Sequence, residues 1–422
     1  MLITLLTSGS RGDVQPYIAL GLALKRAGAE VRLATFENYS PFVQAHGLEF
    51  FPIPGDISSI LASADIDHAR QADNPLKFLL SFNKLKQHIF DLQQAFYDAC
   101  AGSDALVYHP GVALGYFAAR QMGIPGVLAL PFPMTPTRQY PSMILYDTVR
   151  LGGTFNLLSH KLLQNIMWMA SSDPVRRFWK KKFGRLPDDF GNPFPRQALP
   201  SYPTIVSCSN QVFPASSDFP PHVHHTGFWF LDEEADWVPP ADMQAFLQNG
   251  PAPVYVGFGS LSDPSAARTT DLVIEALQRA GQRGILATGQ KGMTRPAHLP
   301  EGIFMLESAP HAWLFPRMAA VVHHGGAGTT GAGLRAGVPQ VVIPHSNDQP
   351  AWARRVYELG AGARPIPRKK LTAEILATAI RSVLAEDVKE AAKELGKKIQ
   401  ADNGAEAAAR VVMDCFTAPS AP

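Results

Sequence analysis

The sequence predicts two tandem α/β domains, each built on a doubly wound parallel sheet. Three observations carry that expectation. A short apolar run, a polar glycine-containing turn, a helix-spaced segment and a second apolar run open the chain. The same unit restarts near residue 254. Each glycine-rich polar motif follows a predicted strand, the end of an open parallel sheet at which ligands bind.

In order, Leu2–Leu6 reads as a buried strand, SGSRGD as a turn, and Val14–Ala27 as a helix with Ile18, Leu22 and Leu24 on its apolar stripe. Gly28 stops that helix, and Val31–Ala34 is the second strand. The pattern recurs as strand Ala105–Tyr108, helix Ala113–Gln121 and strand Val127–Leu130. Residues 134–200 are rich in aromatics, proline and basic residues, with a helical stretch over Phe155–Ala170. In the second half, strands are expected at Val254–Val256, Gly284–Ala287, Ala319–Val322 and Val338–Ile343, and helices at Thr270–Ala280 and Thr330–Ala336. The tail Val388–Phe416 reads as helix. These elements divide the chain into residues 1–225, a Pro-rich and acidic linker at 226–250, and residues 251–422 with the terminal helix.

With 422 residues, 46% hydrophobic and 18% charged, the chain has material for two cores. A net charge of +2 carries no signature of nucleic-acid binding. Cys100, Cys208 and Cys415 are far apart and form neither a zinc pattern nor a disulfide framework, as suits a reducing cytoplasm. The N-terminus lacks the cationic start of a signal peptide. No apolar run approaches the ~20 residues of a membrane span, which leaves only a surface contact with membranes open.

The densest motif is SAPHAWLFPRMAAVVHHGGAGTTGAGLRAGVPQVVIPHSNDQ, residues 308–349. Its strand, glycine-rich loop and helix would turn backbone N–H groups and the positive end of a helix dipole toward an anion. A second glycine turn, GFGS at 257–260, follows the strand that opens the second half. A satisfied glycine-rich turn is the plain structural alternative.

This segment resembles the donor-binding signature of UDP-sugar-dependent glycosyltransferases with the GT-B fold, two Rossmann-like domains facing a cleft. The closest likeness is to sterol glucosyltransferases and to bacterial enzymes that glycosylate antibiotic aglycones. GSRGDVQP, VGFGS, HTGFW, PHAWLF and RAGVPQVVIP share it. The resemblance implies that His323 binds the donor diphosphate, with His324 beside it. It places Gly325, Gly326, Gly328, Thr329 and Thr330 along the phosphate turn and Ser260 on phosphate. Asp348 and Gln349 would hold the sugar hydroxyls, and Ala309, Pro310 and His311 would follow the base and ribose. Plant enzymes of this kind have Trp where this chain has Ser308. Trp313 nearby reads equally as a core aromatic.

The resemblance also implies that Asp13, in GSRGD, is the base that takes the acceptor proton. Its structural alternative is a helix N-cap ahead of Pro16. His109, ending the strand Ala105–Tyr108, would orient Asp13 or replace it; a structural loop histidine before Pro110 is the alternative. Phe78, Met143 and Phe155 stand for an apolar acceptor pocket in the unmatched regions 75–100 and 132–183.

The expected activity is inverting, metal-independent transfer of a hexose, glucose first, from a nucleotide diphosphate sugar to a hydroxyl of an apolar small molecule or lipid. A sterol, polyketide or phenolic aglycone would serve. UDP-glucose is a co-substrate, and no cofactor is expected. TDP-sugar or rhamnosyl transfer is the near alternative. A catalytically inactive nucleotide-sugar-binding protein and an NAD-dependent oxidoreductase are the rivals of other classes. For the latter, Glu37 is a weak ribose acid and SGSRGD lacks a full G-x-G-x-x-G. Asp65 and Asp67 have DxD spacing by chance. The basic run RRFWKKKFGR at 176–185 suits either an anionic membrane or a solvated helix over buried Phe178 and Trp179.

Overall fold

Leu2–Leu6 forms β1, whose apolar side chains are almost wholly buried, as a strand covered on both sheet faces requires. It lies inside a seven-stranded sheet with β2 (Glu30–Phe36), β3 (Glu49–Ile53), β4 (Ala105–Tyr108), β5 (Gly126–Leu130), β6 (Thr204–Val206) and β7 (Val223–His225). The order is β3-β2-β1-β4-β5-β6-β7, with parallel pairing throughout the described strands. Helices α1 (Arg11–Arg26), α2 (Ser40–Ala45), α3 (Lys86–Ala99), α4 (Leu114–Met122) and α5 (Gly153–Phe183) connect them. This computed structural model describes residues 1–55, 86–148, 150–196, 202–231, 237–259, 266–289, 293–345 and 347–416, with side chains of α3 from residue 91 onward.

The second sheet holds β8 (Val254–Gly257), β9 (Gly284–Ala287), β10 (Ile303–Leu306), β11 (Ala320–His323) and β12 (Gln340–Val342) in the order β10-β9-β8-β11-β12, again parallel. Its helices are α6 (Ala241–Gln248), α7 (Ala266–Arg279), the single turn α8 (His311–Leu314), α9 (Ala327–Arg335), α10 (Gln349–Glu358), α11 (Ala373–Val383) and α12 (Glu386–Gln400). Alternation along β8 sorts its two faces. Val254 and Val256 join a core with α7 and α11, while Tyr255 joins Leu314, Phe315 and Met243 on the other side.

The chain therefore folds as two α/β units, as the sequence predicts, but the boundary differs. One unit comprises Met1–Leu231 with Asp402–Pro422, the other Asp232–Ala401. The expected linker at 226–250 is structured at both ends. Trp229 and Leu231 are buried in the first core, and α6 packs in the second. The tail expected to be one helix breaks after Gln400. Its last part, α13 (Gly404–Asp414), returns to the first unit. Ala405, Ala408, Ala409 and Val412 bury themselves in the same core as Ala19 and Ala23 of α1. Small residues on both helices permit that close approach. Gly404 starts α13 where a Cβ would lie 2.3 Å from the Phe228 carbonyl oxygen. Sequence pattern alone missed β3, β6, β7 and β10, which carry Pro52, span three residues, or are only half-buried.

Ala408 is fully buried, so Ala408→Asp should cost roughly 3 kcal/mol or more by burying an unpaired carboxylate. The expected readout is a lowered thermal transition for the first unit; an unchanged transition refutes the α1–α13 packing.

Candidate active site

Strand order reverses beside β1: β2 and β3 lie on one side, β4 on the other. At such a switch point the loops diverge and leave a crevice at the strand ends. Asp13 follows β1 and His109 follows β4, so the topology brings together two residues 96 apart in sequence. The cap of α1 is Ser10 rather than Asp13. Asp13 sits one turn in, and its Oδ2 accepts from the Ser10 amide at 2.7 Å and the Ser10 hydroxyl at 2.9 Å. That leaves Oδ1 directed toward His109 Nε2 at 3.6 Å. Gly9 is required here: its φ is +137°, and a Cβ would lie 2.3 Å from Asp13 Oδ2.

His109 is oriented by its own loop. The Gly111 amide donates to His109 Nδ1 at 3.0 Å, so the neutral ring carries its proton on Nε2, facing the carboxylate. Burial lowers the ring's pKa, opposed by the charge of Asp13. Tyr17, one helical turn beyond Asp13, packs edge-on against His109 at 5.9 Å and against Trp229 at 6.0 Å. Its hydroxyl donates to the Ala129 carbonyl at 2.6 Å. Sequence reading missed this support, although Tyr17 lies four residues after Asp13, on the same helix face. Asp13 itself is 32% exposed and His109 10%, so the carboxylate is the member of the pair that meets solvent.

The second unit repeats the arrangement at the switch between β8 and β11. His323 ends β11 and is fully buried. The Gly325 amide donates to its Nδ1 at 3.0 Å, and its Nε2–H donates to Gln340 Oε1 at 2.6 Å. Gln340 in turn donates to the Thr330 carbonyl at 3.3 Å. Both ring nitrogens are thus engaged inside the protein. Burial, with the neighbouring His324, pushes the His323 pKa down to about 3.

In this arrangement the His323 ring, expected on the donor diphosphate, braces the turn through both nitrogens. His324, half-buried beside it, keeps a ring nitrogen without a partner among the described residues. Its ring stands against both glycine turns, since a Cβ on Gly259 would lie 2.8 Å from its Cε1 and one on Gly326 2.7 Å from its Nε2. Its Nδ1 has no partner among the described residues, and burial brings its pKa down to about 4. Gln340, a polar residue in the apolar run VPQVVIP, was the unused sequence signal for the brace.

Helix α9 begins at Ala327 with Gly326 as a cap that offers no side chain. The amides of Ala327, Gly328 and Thr329 are first-turn donors without intrahelical acceptors. A Cβ on Gly328 would meet open space. Gly325, at φ +89°, has no such room, because Val342 and the Gln349 carbonyl close on it. Thr330 is buried and its hydroxyl donates to the Gly326 carbonyl, which ties it into the turn.

Asp348 precedes α10 and accepts from the Trp352 indole at 2.7 Å. Gln349 is 8% exposed, and its Oε1 accepts from the His345 amide at 2.8 Å. Those bonds orient both side chains. His345, which the sequence reading passed over, packs on Phe258 of the GFGS turn at 5.8 Å. His311 stacks on Phe315 at 4.2 Å, beside the half-buried Ala309 and Pro310. Trp313 packs against Trp237 at 4.9 Å, with Arg317 4.1 Å above its ring, half-buried against the second unit's core.

Ser260, Asp65, Asp67 and Phe78 lie outside the described residues. Met143 is buried at 2% exposure, whereas Phe155 is half-buried in the first turn of α5. Phe178 and Trp179 pack on Tyr97, as the solvated-helix reading of the basic run expects.

Known proteins agree with this architecture. Residues 3–141 match the glycosyltransferase family 28 N-terminal domain, and residues 272–417 match the C-terminal domain of erythromycin biosynthesis protein CIII-like proteins. The chain has the GT-B fold and matches glycosyltransferase-type domains in both units. Within that class it is similar to sterol 3-beta-glucosyltransferases: 36% identical to that of Emericella nidulans over 97% of this chain and 30% of the relative. The enzyme of Komagataella phaffii is 37% identical over 96% of this chain and 34% of its own length. The chain thus spans about a third of these relatives. Among solved structures, the glycotransferase of kitacinnamycin has a TM-score of 0.70 at 19% identity, covering 98% of both chains. The calicheamicin glycosyltransferase CalG4 scores 0.68 at 18%, covering 100% of this chain and 99% of its own.

The His323 brace has a pH consequence. An unfolded imidazole takes up a proton near pH 6.5, but the buried ring resists protonation until about pH 3. The stability it contributes is complete above pH 6.5 and is lost as pH falls through that window. From pH 7 to pH 5 the loss from this ring is roughly 2 kcal/mol. Urea unfolding of the second unit at both pH values should show it, and His323→Gln should flatten the slope; an equally steep slope in the variant refutes the assignment.

Proposed function

We propose that this chain is an inverting, metal-independent transferase that moves glucose from UDP-glucose to a hydroxyl of a sterol-like apolar alcohol. The observation that carries this reading is the Asp13–His109 pair at the β1/β4 switch. It occurs in a chain that is 36% identical, over 97% of its length, to a sterol 3-beta-glucosyltransferase. The acceptor hydroxyl gives its proton to Asp13 Oδ1 as its oxygen bonds to the anomeric carbon. His109 Nε2–H keeps that carboxylate oxygen in place and remains neutral.

The C–O bond to the diphosphate breaks on the opposite face, which inverts the configuration. The electron pair leaves with UDP. First-turn amides of α9 and the neutral His324 receive the charge that develops there. Dipoles and hydrogen bonds take the part of a cation, so none is needed. Asp348 and Gln349, oriented by Trp352 and the His345 amide, are the sugar-hydroxyl ligands of this proposal.

Thymidine donors form a second reading. SsfS6 with thymidine diphosphate and VinC with dTDP share the fold at 18% identity. In this chain Ser308 offers no stacking ring, and Trp313 is engaged with Trp237. Competition among UDP-glucose, UDP-galactose and TDP-sugars, with sterol and phenolic acceptors followed by mass spectrometry, decides between the readings. Selective NADH binding, or neither transfer nor donor hydrolysis, defeats both.

Two variants and one condition test the chemistry. Asp13→Asn should lower transfer by a factor on the order of 10²–10⁴ while UDP binding persists. His324→Ala should weaken UDP binding, and His323→Ala should act through stability instead. Turnover should survive in excess chelator; a strict requirement for magnesium or manganese overturns the metal-independent mechanism.

A further inference from the structure

Helix α5 has two unlike sides. On one, Leu163, Val175, Phe178 and Trp179 are buried. On the other, Leu158 is 57%, Leu162 49% and Met169 70% exposed, with Leu151 just ahead of the helix at 66%. Spacings of four and seven residues put Leu158, Leu162 and Met169 on one helical face. The same spacing continues it to Arg176 and Lys180, both exposed. Exposed large apolar residues occur singly on most surfaces. Here Ile144, Leu151, Leu158, Leu162 and Met169 are gathered within 26 residues of one another in sequence.

Past Asp173, which pairs with Arg177, the charge on this helix is one-sided. The run from Arg176 to Arg185 holds three arginines and three lysines and no acid. Two of these cations pair with carboxylates, Arg177 with Asp173 one turn earlier in the same helix at 3.0 Å and Lys182 with Asp98 of α3 at 3.6 Å. Arg176 and Lys180 stay exposed at the end of the apolar stripe. At ~1.5 Å per residue, the stripe and its basic end extend over some 33 Å of helix. No described helix is long and apolar enough to cross a membrane.

We propose that this face of α5 docks on the surface of an anionic lipid bilayer. Leu151, Leu158, Leu162 and Met169 enter the boundary between headgroups and acyl chains, and Arg176 and Lys180 pair with lipid phosphates and carboxylates. The argument for that occupant is charge complementarity joined to an apolar stripe on one surface helix. The docking does not depend on the transfer reaction, although it would bring the chain to a membrane-dissolved acceptor.

The test is flotation of the purified full chain with phosphatidylcholine vesicles and with vesicles that also contain phosphatidylserine. The expected result is capture by the anionic vesicles, weakened as salt is raised. The triple variant Leu158→Gln, Leu162→Gln, Met169→Gln and the double variant Arg176→Glu, Lys180→Glu should each lose at least ~10-fold in bound fraction. Both should keep the wild-type thermal transition, because these side chains are exposed. Transfer to a water-soluble acceptor should be unchanged in both, which separates failure here from failure of the proposed reaction. The proposal is overturned if the wild type floats with neither vesicle or if the variants float as it does. It is equally overturned if light scattering shows a wild-type dimer that the triple variant abolishes while flotation is unaffected.

Discussion

One hydrogen bond recurs at both candidate loops, and much of their geometry depends on it. In each unit a glycine amide two residues beyond a histidine donates to its Nδ1: Gly111 to His109 and Gly325 to His323, both at 3.0 Å. That bond sets which ring nitrogen carries the proton. In the first unit the Nε2–H faces the partly exposed Asp13. In the second it meets Gln340, whose own amide reaches into α9. The same local device turns a ring toward a carboxylate in one unit and braces a glycine turn in the other.

The histidines reach those positions because the strands before them are parallel and buried. β4 and β11 each neighbour the first strand of their unit on the side opposite its next strand. The loops after β1 and β4, and after β8 and β11, therefore converge at one edge. Glycines then set how close the loops come. Gly9 yields to the Asp13 carboxylate, Gly259 and Gly326 to the His324 ring, and Gly325 to Val342 and Gln349. Their missing side chains are the space that the functional groups occupy.

Helix α5 shows how one segment serves opposite demands. Phe178 and Trp179 gather around Tyr97 in an aromatic cluster with Phe183. Lys180 is exposed, while Lys182 lies over the Tyr97 ring at 4.6 Å. The basic run is thus a normal solvated face at its aromatic positions. Its unusual feature is the apolar stripe earlier in the same helix.

Periodicity alone exposed the two α/β units, because a buried parallel strand leaves a continuous apolar run and the helix after it a spaced one. Ala105–Tyr108 and Gly284–Ala287 are strands from end to end as read. Asp13, His109 and the HHGGAGTT turn were legible too, since motifs that follow such strands must lie at one sheet edge. What the sequence withheld depends on contacts between distant residues. It could not show that Ser10 caps α1 and leaves Asp13 Oδ1 turned toward His109. Nor could it tell His323 from His324, adjacent residues of the same type. Gln340, reaching from the neighbouring strand, distinguishes them: it takes up Nε2 of His323, while His324 Nδ1 has no partner among the described residues. The return of α13 to the first unit was equally hidden. A helix of Ala, Glu and Val is amphipathic wherever it packs, and the surface that receives it lies on α1, almost four hundred residues earlier.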